Sequence, residues 1–235
     1  MAFNIAQVLD SPHLDAQDSD TLQRVWQTIQ VDSCPTRYNF HMHTIYSDGK
    51  LPPENLAQQA CEIGLQGFAI TDHHSLGGYY IAQSWLEEKR RNTTQQNIPH
   101  LWTGVEITSQ LLNVDVHILG YAFDPQNQVM QPYLKGKAPV GEEAQAKNVI
   151  NAIHQAEGLA VLAHPARYKS SAEELIQAAA QLGIDGVETY YAYRNTDPWQ
   201  SSPLQTEQVQ YLSQQYNLLN TCGTDTHGLD LRKRI

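Results

Sequence analysis

The sequence predicts an α/β fold, built mainly of parallel strands that deliver polar side chains to one rim. Three observations predict it. Short apolar runs recur along the chain, and eight of nine metal-competent side chains sit at or beside the end of one. Strand-like and helix-like segments alternate in units of about 30 residues, the length of a βα crossover unit. No internal repeat or long linker divides the 235 residues, a length that fits one α/β domain with a well-buried core. Enough units follow one another to close or nearly close a barrel. Barrels and open parallel sheets keep their active sites at the carboxyl ends of the strands.

The elements follow in order. Residues 1–36 read as a leader that packs on the outside of a domain spanning 37–235. Within the leader, Leu22, Val25, Trp26 and Ile29 have the spacing of one amphipathic helix between Asp18 and Ile29, ended by Asp32-Ser33-Cys34-Pro35. Tyr38–His41 reads as a strand. Pro52–Ile63 reads as a helix whose prolines stand where a missing N–H is tolerated. Gly67–Thr71 is a second strand, Gly78–Arg91 a helix, and Asn92–Asn97 a polar loop. Leu101–Ile107 and Val114–Phe123 are strands with a connection short enough for a hairpin. Asp124–Gly141 lacks periodicity and holds three prolines, which predicts a long surface loop. Helix Glu142–Gln155, strand Leu159–Ala163 and helix Ser171–Leu182 come next. That last helix has Ser170 or Ser171 as N-cap and Glu173 and Glu174 in its first turn. Strand Gly186–Tyr190, helix Pro203–Tyr216 and strand Leu218–Cys222 complete the series.

Composition narrows the class. The chain is 41% hydrophobic and only 17% charged, with glutamine standing in for charge on helix surfaces. No run is long enough to span a membrane, and MAFNIAQVLD has neither the basic nor the apolar region of a secretory signal. Three widely spaced cysteines form no CxxC and suggest no disulfide framework, so a cytoplasmic location is expected. The net charge of −10 gives no basic field to attract nucleic acid, and three divalent cations would bring it to about −4. The basic run Lys89-Arg90-Arg91 suits a helix C-terminus.

The nine side chains are His41 and His43 in FHMHT, Asp48 in YSDG, and His73 in ITDHH. Then come Glu106 in TGVEIT, His117 in VDVHILGY, His164 in LAHP, and Asp225 and His227 in GTDTHG. Residues two apart on a strand share a face, so His41 and His43 can reach one ion. Asp72 is placed to accept from an imidazole N–H. His74 stands in the loop or lines the pocket. Glu106 ends an apolar stretch, where an unpaired carboxylate is costly. The proline after His164 favours an extended backbone there. Each element has a bland reading: Asp48-Gly49 as a turn, His117 as a satisfied core histidine. Their recurrence at strand after strand is what points to a site, whereas His13, His100 and His154 lie in ordinary polar or helical contexts. Imidazole and carboxylate without thiolate suit zinc, manganese or iron, and the donors exceed one four-coordinate site.

The ordered motifs FHMHTIYSDG, ITDHH, LAHP and GTDTHG, with GVE and the strand histidine between them, resemble the PHP (polymerase and histidinol phosphatase) domain family over about residues 38–228. The second motif more often ends TDHD or TDHN, so His74 is a mild departure. The resemblance implies a distorted (β/α)7 barrel with up to three metals at the C-terminal rim. It implies one ion on His41, His43, Glu106 and Asp225, and Glu106 bridging to a second on His117 and His164. It implies a third on Asp48, His73 and His227.

Two or three such ions would support hydrolysis of a phosphoester through a metal-bridging hydroxide. The substrate's oxygens also need cations. Arg167 in HPARY resembles the family's phosphate-binding arginine, with Arg194 and Lys147 as further candidates and His74 as a pocket contact. Asp72, His164 and Arg167 are thus the candidate catalytic side chains. Glu188 is expected behind the ligands or in the pocket, and Tyr190, Tyr191 and Tyr193 either as an aromatic wall or in packing. Three functions fit: a phosphomonoesterase on a small metabolite or nucleotide, a phosphodiesterase or exonuclease on short oligonucleotides, and a non-catalytic metal-binding regulatory module. Family members that act on nucleotides often carry a larger insertion before the AHP motif. Its brevity here, with the acidic charge, favours the first, and the full ligand set disfavours the third.

Overall fold

The computed structural model describes residues 16–92 and 98–235. The N-terminal stretch read as lacking a signal, His13, and all but the first residue of the polar loop Asn92–Asn97 lie outside the described residues. The first helix, α1 (Ser19–Trp26), is shorter than the pattern suggested. Asp18 caps it, accepting from the Thr21 backbone N–H at 2.8 Å and the Thr21 hydroxyl at 2.6 Å. Its buried residues are Leu22 and Trp26. Trp26 packs edge-on against Phe40 and Tyr121, at centroid distances of 5.9 and 5.2 Å.

Strand β1 (Tyr38–Asn39), helix α2 (Pro53–Ile63), strand β2 (Gly67–Ala69), helix α3 (Gly77–Asn92) and strand β3 (His100–Trp102) follow as βα units. Their strands form a parallel sheet in the order β1-β2-β3. Lys89, Arg90 and Arg91 fall in the last turn of α3, as the sequence suggests.

Next come β4 (Gly104–Leu111) and β5 (Val114–Tyr121), then α4 (Ala146–Gln155), β6 (Leu159–Leu162), α5 (Ala172–Gln181), β7 (Gly186–Tyr190), α6 (Pro203–Gln215) and β8 (Leu219–Cys222). The second sheet runs β4-β5-β6-β7-β8. It is not parallel throughout. β5 runs antiparallel to both neighbours, and only β6, β7 and β8 are parallel. The cause is the tight hairpin at Leu112-Asn113, both at positive φ (52° and 61°), which reverses the chain without a crossover.

The strands therefore lie in two sheets rather than one continuous barrel. Single bridges join them: Met42 pairs with Thr226, and His73 with Glu106. Phe40 N–H also donates to the Cys222 carbonyl at 3.0 Å, and Asp225 N–H to the His41 carbonyl at 2.8 Å. These contacts gather the ends of β1, β2, β4 and β8 at one rim. The predicted loop Asp124–Gly141 contains a 3-10 turn, Gln128–Tyr133, that buries Met130 and Tyr133. A second 3-10 turn, Gly141–Ala144, delays α4 to Ala146. α5 carries a reciprocal cap between Ser171 and Glu174.

Candidate metal centre

His41 and His43 follow β1, and both are fully buried. Their Nε2 atoms converge on Glu106 Oε2, at 3.1 and 3.0 Å, and on Asp225 Oδ1, at 3.4 and 3.2 Å. Glu106, in β4, turns its other oxygen the opposite way. Oε1 lies 2.6 Å from His117 Nδ1 and 3.5 Å from His164 Nε2. One carboxylate thus faces two separate donor sets. At the mouth, Asp48 Oδ2 lies 3.1 Å from His227 Nε2 and 3.8 Å from His73 Nε2. All nine expected donors converge on one rim.

The expected groupings are also crossed. The ligand atoms of His41, His43, Glu106 and Asp225 all lie within 4.8 Å of one another, and so do those of His73, Glu106 and His117. His73 therefore stands between two sets, its Nε2 3.5 Å from Glu106 Oε2.

These residues fit divalent cations. His43 Nε2, both ring nitrogens of His164 and Glu106 Oε1 are buried without a hydrogen-bond partner. His117 and Glu106 approach closely but are not aligned to hydrogen-bond each other. Buried polar atoms in folded proteins normally pair. Donors that face one another without pairing suit an ion held between them, and imidazole–carboxylate sets bind divalent transition metals.

The electrostatics agree. Burial alone would lower the His41 pKa, but Glu188, Glu106 and Asp225 outweigh it and hold it well above the ordinary value. His43 is likewise raised to about 9 against burial, by Asp225 and Glu106. Glu106 and Asp225 are held well below the usual carboxylate range despite burial, by the facing histidines. Burial instead pushes His73 down to about 4. Ionised Glu106 and Asp225 thus draw positive charge onto His41 and His43, charge that a divalent cation would supply in place of those protons.

Glu188, in β7, organises the back of the site. Its Oε1 accepts from His41 Nδ1 at 2.9 Å, which turns His41 Nε2 toward Glu106 and Asp225, where a metal ion would displace its proton. Its Oε2 accepts from the His164 backbone N–H at 2.9 Å. His164 is not extended, as its following proline suggested. It sits at φ 28°, ψ 60°, a costly conformation held in place by that bond. Gly223 explains how closely β8 approaches. A Cβ there would lie 2.2 Å from His41 Cβ and 2.9 Å from Glu188 Oε1.

Other expected residues divide. Asp72, expected to accept from an imidazole, is fully buried and accepts from the Thr44 N–H and hydroxyl, both at 2.7 Å, and from the Ser47 hydroxyl at 2.8 Å. It fixes the loop between His43 and Asp48. His74 lies beside the site but is buried, with Nε2 3.2 Å from the Thr108 hydroxyl, and it does not line the cavity. Arg194 and Lys147 are exposed and do not line it either. Arg167 does, with NH1 donating to Asp225 Oδ2 at 3.1 Å and to the Tyr191 hydroxyl at 3.2 Å. The tyrosines form no open wall. Tyr191 is buried and donates to Asp225 Oδ2 at 2.6 Å, and the Tyr193 hydroxyl accepts from the Ala166 N–H at 3.1 Å. His154 lies outside the site, paired with Asp185 at 2.8 Å.

The cavity holds about 220 Å³ and is lined by Asp48, His73, Glu106, His117, His164, Arg167, Asp225, His227 and Arg234. A wider groove of about 550 Å³ beside Gln59 and Arg232 lies apart from these donors and lacks their convergence. The sequence reading missed Arg234. Its only signal was the basic run Arg232-Lys233-Arg234 shortly after His227, on no regular element.

The sequence model of the PHP domain matches residues 39–224. This chain belongs to the PHP domain family. With its clustered donors, this PHP domain is a metal-dependent hydrolase acting on phosphoester bonds. It is 26% identical to a 5'-3' exoribonuclease, Rnm, of Salmonella typhimurium, over 81% of this chain and 85% of that protein. It is 31% identical over 97 residues to a 3',5'-nucleoside bisphosphate phosphatase of Chromobacterium violaceum, covering 41% of this chain and 31% of that protein. Its fold is similar to that of a provisionally assigned metal-dependent phosphoesterase from Bifidobacterium adolescentis. The TM-score is 0.66 at 23% identity, over 83% of this PHP domain chain and 89% of that one. Among the described residues no helix is long and apolar enough to cross a membrane.

Proposed function

We propose that this chain releases phosphate from a phosphomonoester of a small metabolite or nucleotide, using two to three divalent ions of manganese, zinc or iron. The observation that carries the reading is Glu106, one oxygen facing each donor set, beside Arg167 in a cavity of about 220 Å³. That volume admits one phosphoryl group with its attached oxygens.

Divalent ions at these donors would acidify the attacking water, clamp the phosphoryl oxygens and neutralise the leaving oxygen. His41, His43, Glu106 and Asp225 would hold one ion, Glu106, His117 and His164 a second, and Asp48, His73 and His227 a third. Glu188 orients His41 and pins His164. Asp72 holds the loop that carries His43 and Asp48. Arg167 binds the substrate's oxygens with its planar fork.

The same reading extends to the fold. β3 and β4 are separated by Thr103 alone, and counting them as one bent strand gives seven around the ring. The bridges at Met42–Thr226 and His73–Glu106 are where a distorted (β/α)7 barrel would close. Residues 37–235 would be the catalytic domain and 1–36 a leader, its described part from Ala16 onward packed on that domain, in a cytoplasmic protein.

A second reading, hydrolysis at the end of a short oligonucleotide, is favoured by the similarity to the exoribonuclease over most of both chains. That alignment spans 261 positions yet uses 81% of this chain, so the relative is longer between the same ends. The shorter chain here supports the first reading. A 5'-mononucleotide and a 5'-phosphorylated oligonucleotide offered to the manganese-, zinc- or iron-loaded protein separate the two. A monoesterase releases inorganic phosphate and leaves internal diesters intact. Release of mononucleotides with steep salt dependence favours the second reading.

A further inference from the structure

The chemistry above leaves Arg234 without a role. The chain after β8 folds back so that the Arg234 carbonyl accepts from the His227 backbone N–H at 2.6 Å. Its side chain then reaches into the metal cavity, where Nε donates to Asp225 Oδ2 at 2.9 Å.

That oxygen is crowded. Arg167 NH1 also donates to it at 3.1 Å, and the Tyr191 hydroxyl at 2.6 Å. The other Asp225 oxygen faces His41 and His43 at 3.4 and 3.2 Å. Asp225 therefore separates a metal-facing side from a cationic side. Two guanidiniums carry ten N–H donors, far more than one carboxylate oxygen and one hydroxyl can accept. Two fixed positive charges likewise exceed one carboxylate whose other oxygen serves the metal side. The surplus donors belong to a cavity that both arginines line. Because both reach the same oxygen, they stand within the span of one tetrahedral oxyanion. An acceptor with several anionic oxygens satisfies what Asp225 cannot.

We infer that Arg234 is a second phosphoryl-binding residue, clamping with Arg167 the non-bridging oxygens of the substrate's phosphate. The inference rests on the phosphoesterase reading of the same site, and it makes the segment after His227 part of the active site.

The test titrates inorganic phosphate into the manganese-loaded full chain by calorimetry, alongside kinetics and elemental analysis. Arg234→Ala is expected to keep its metal content while phosphate affinity falls about tenfold to a hundredfold, the range for losing charge-assisted hydrogen bonds. KM should rise in step. Arg234→Lys should recover part of the loss. Arg234→Gln keeps an amide that can donate to Asp225 but lacks the charge, and it should bind phosphate as weakly as the alanine variant. Unchanged phosphate affinity in Arg234→Ala overturns the inference. So does full recovery in Arg234→Gln, or a loss of metal and kcat with phosphate affinity and KM intact. Each would mean that Arg234 only steadies the fold or Asp225. A distinct result, wild-type protein that binds no phosphate and hydrolyses no phosphoester, would overturn the functional reading beneath it.

Discussion

Glu106 is the residue on which most of the site converges. Its two oxygens face different histidines, and it is almost fully buried at 1% exposure. Glu106→Gln replaces an anionic ligand with a neutral amide that binds hard cations far less well. The expected outcome is loss of metal occupancy and of activity together, read by elemental analysis and turnover. His154→Ala should leave both near wild type, since that histidine pairs with Asp185 away from the site. Equal losses in the two variants would undo the assignment. Arg167 makes a different prediction. Arg167→Ala should keep the metal while kcat/KM on phosphomonoesters drops about tenfold to a thousandfold, the cost of a 1.5–4 kcal/mol transition-state contact. Lysine at that position should restore only part, because an ammonium cannot reproduce the paired hydrogen bonds of a guanidinium.

At the scale of elements, α1 packs against the segment that leads into His41. Leu22 and Trp26 are buried in the same cluster as Phe40 and Tyr121. Phe40 immediately precedes His41, and the Tyr121 hydroxyl donates to the Phe40 carbonyl at 2.8 Å. The helix thus supports the segment that carries His41 and His43. Trp26→Ala is expected to destabilise the protein by about 3 kcal/mol, the lower end for a buried large aromatic. The lower end applies because the Trp26 indole N–H is buried without a partner, and removing it relieves that cost. Denaturant unfolding measures the loss. A change below about 0.5 kcal/mol, the ordinary surface range, would mean the helix is dispensable.

Across the whole molecule, one titrating contact ties elements distant in sequence. His154 in α4 meets Asp185, whose carboxylate also accepts from the Ala160 N–H of β6 at 2.7 Å. The bond to Asp185 raises the His154 pKa above its ordinary value, partial burial opposing it. A raised folded-state pKa stabilises fully below the unfolded value of about 6.5 and is lost as pH rises through the folded one. His154→Gln should therefore lower the melting temperature at about pH 5.5 and leave it unchanged at about pH 9, where both chains carry a neutral side chain. A loss of the same size at both values would mean that packing, not charge, is what His154 supplies.

The sequence by itself determined the alternation of elements and the donor side chains that the fold gathers at one rim. Helices and strands declare themselves through period, caps and breakers, which are local. Eight of the nine donors were marked by a position at or beside the end of an apolar run. It also placed Arg167, through its distance from His164. What the sequence did not carry were properties set by long-range approach. Nothing near Asp72 foretold that its oxygens would be taken by Thr44 and Ser47, because that choice depends on how β1 lies against β2. The hairpin between β4 and β5 was legible in its short connection, and Asn113 suits the left-handed turn there. That β5 also pairs antiparallel with β6 was not, because it depends on how the hairpin lies against a later strand. Arg234 reaches Asp225 only because the chain after β8 doubles back, a path set by tertiary contacts and by no periodicity. Residue chemistry is local and can be read along a line. Which donor faces which ion, and which cation faces the substrate, is fixed only when distant segments close on one rim.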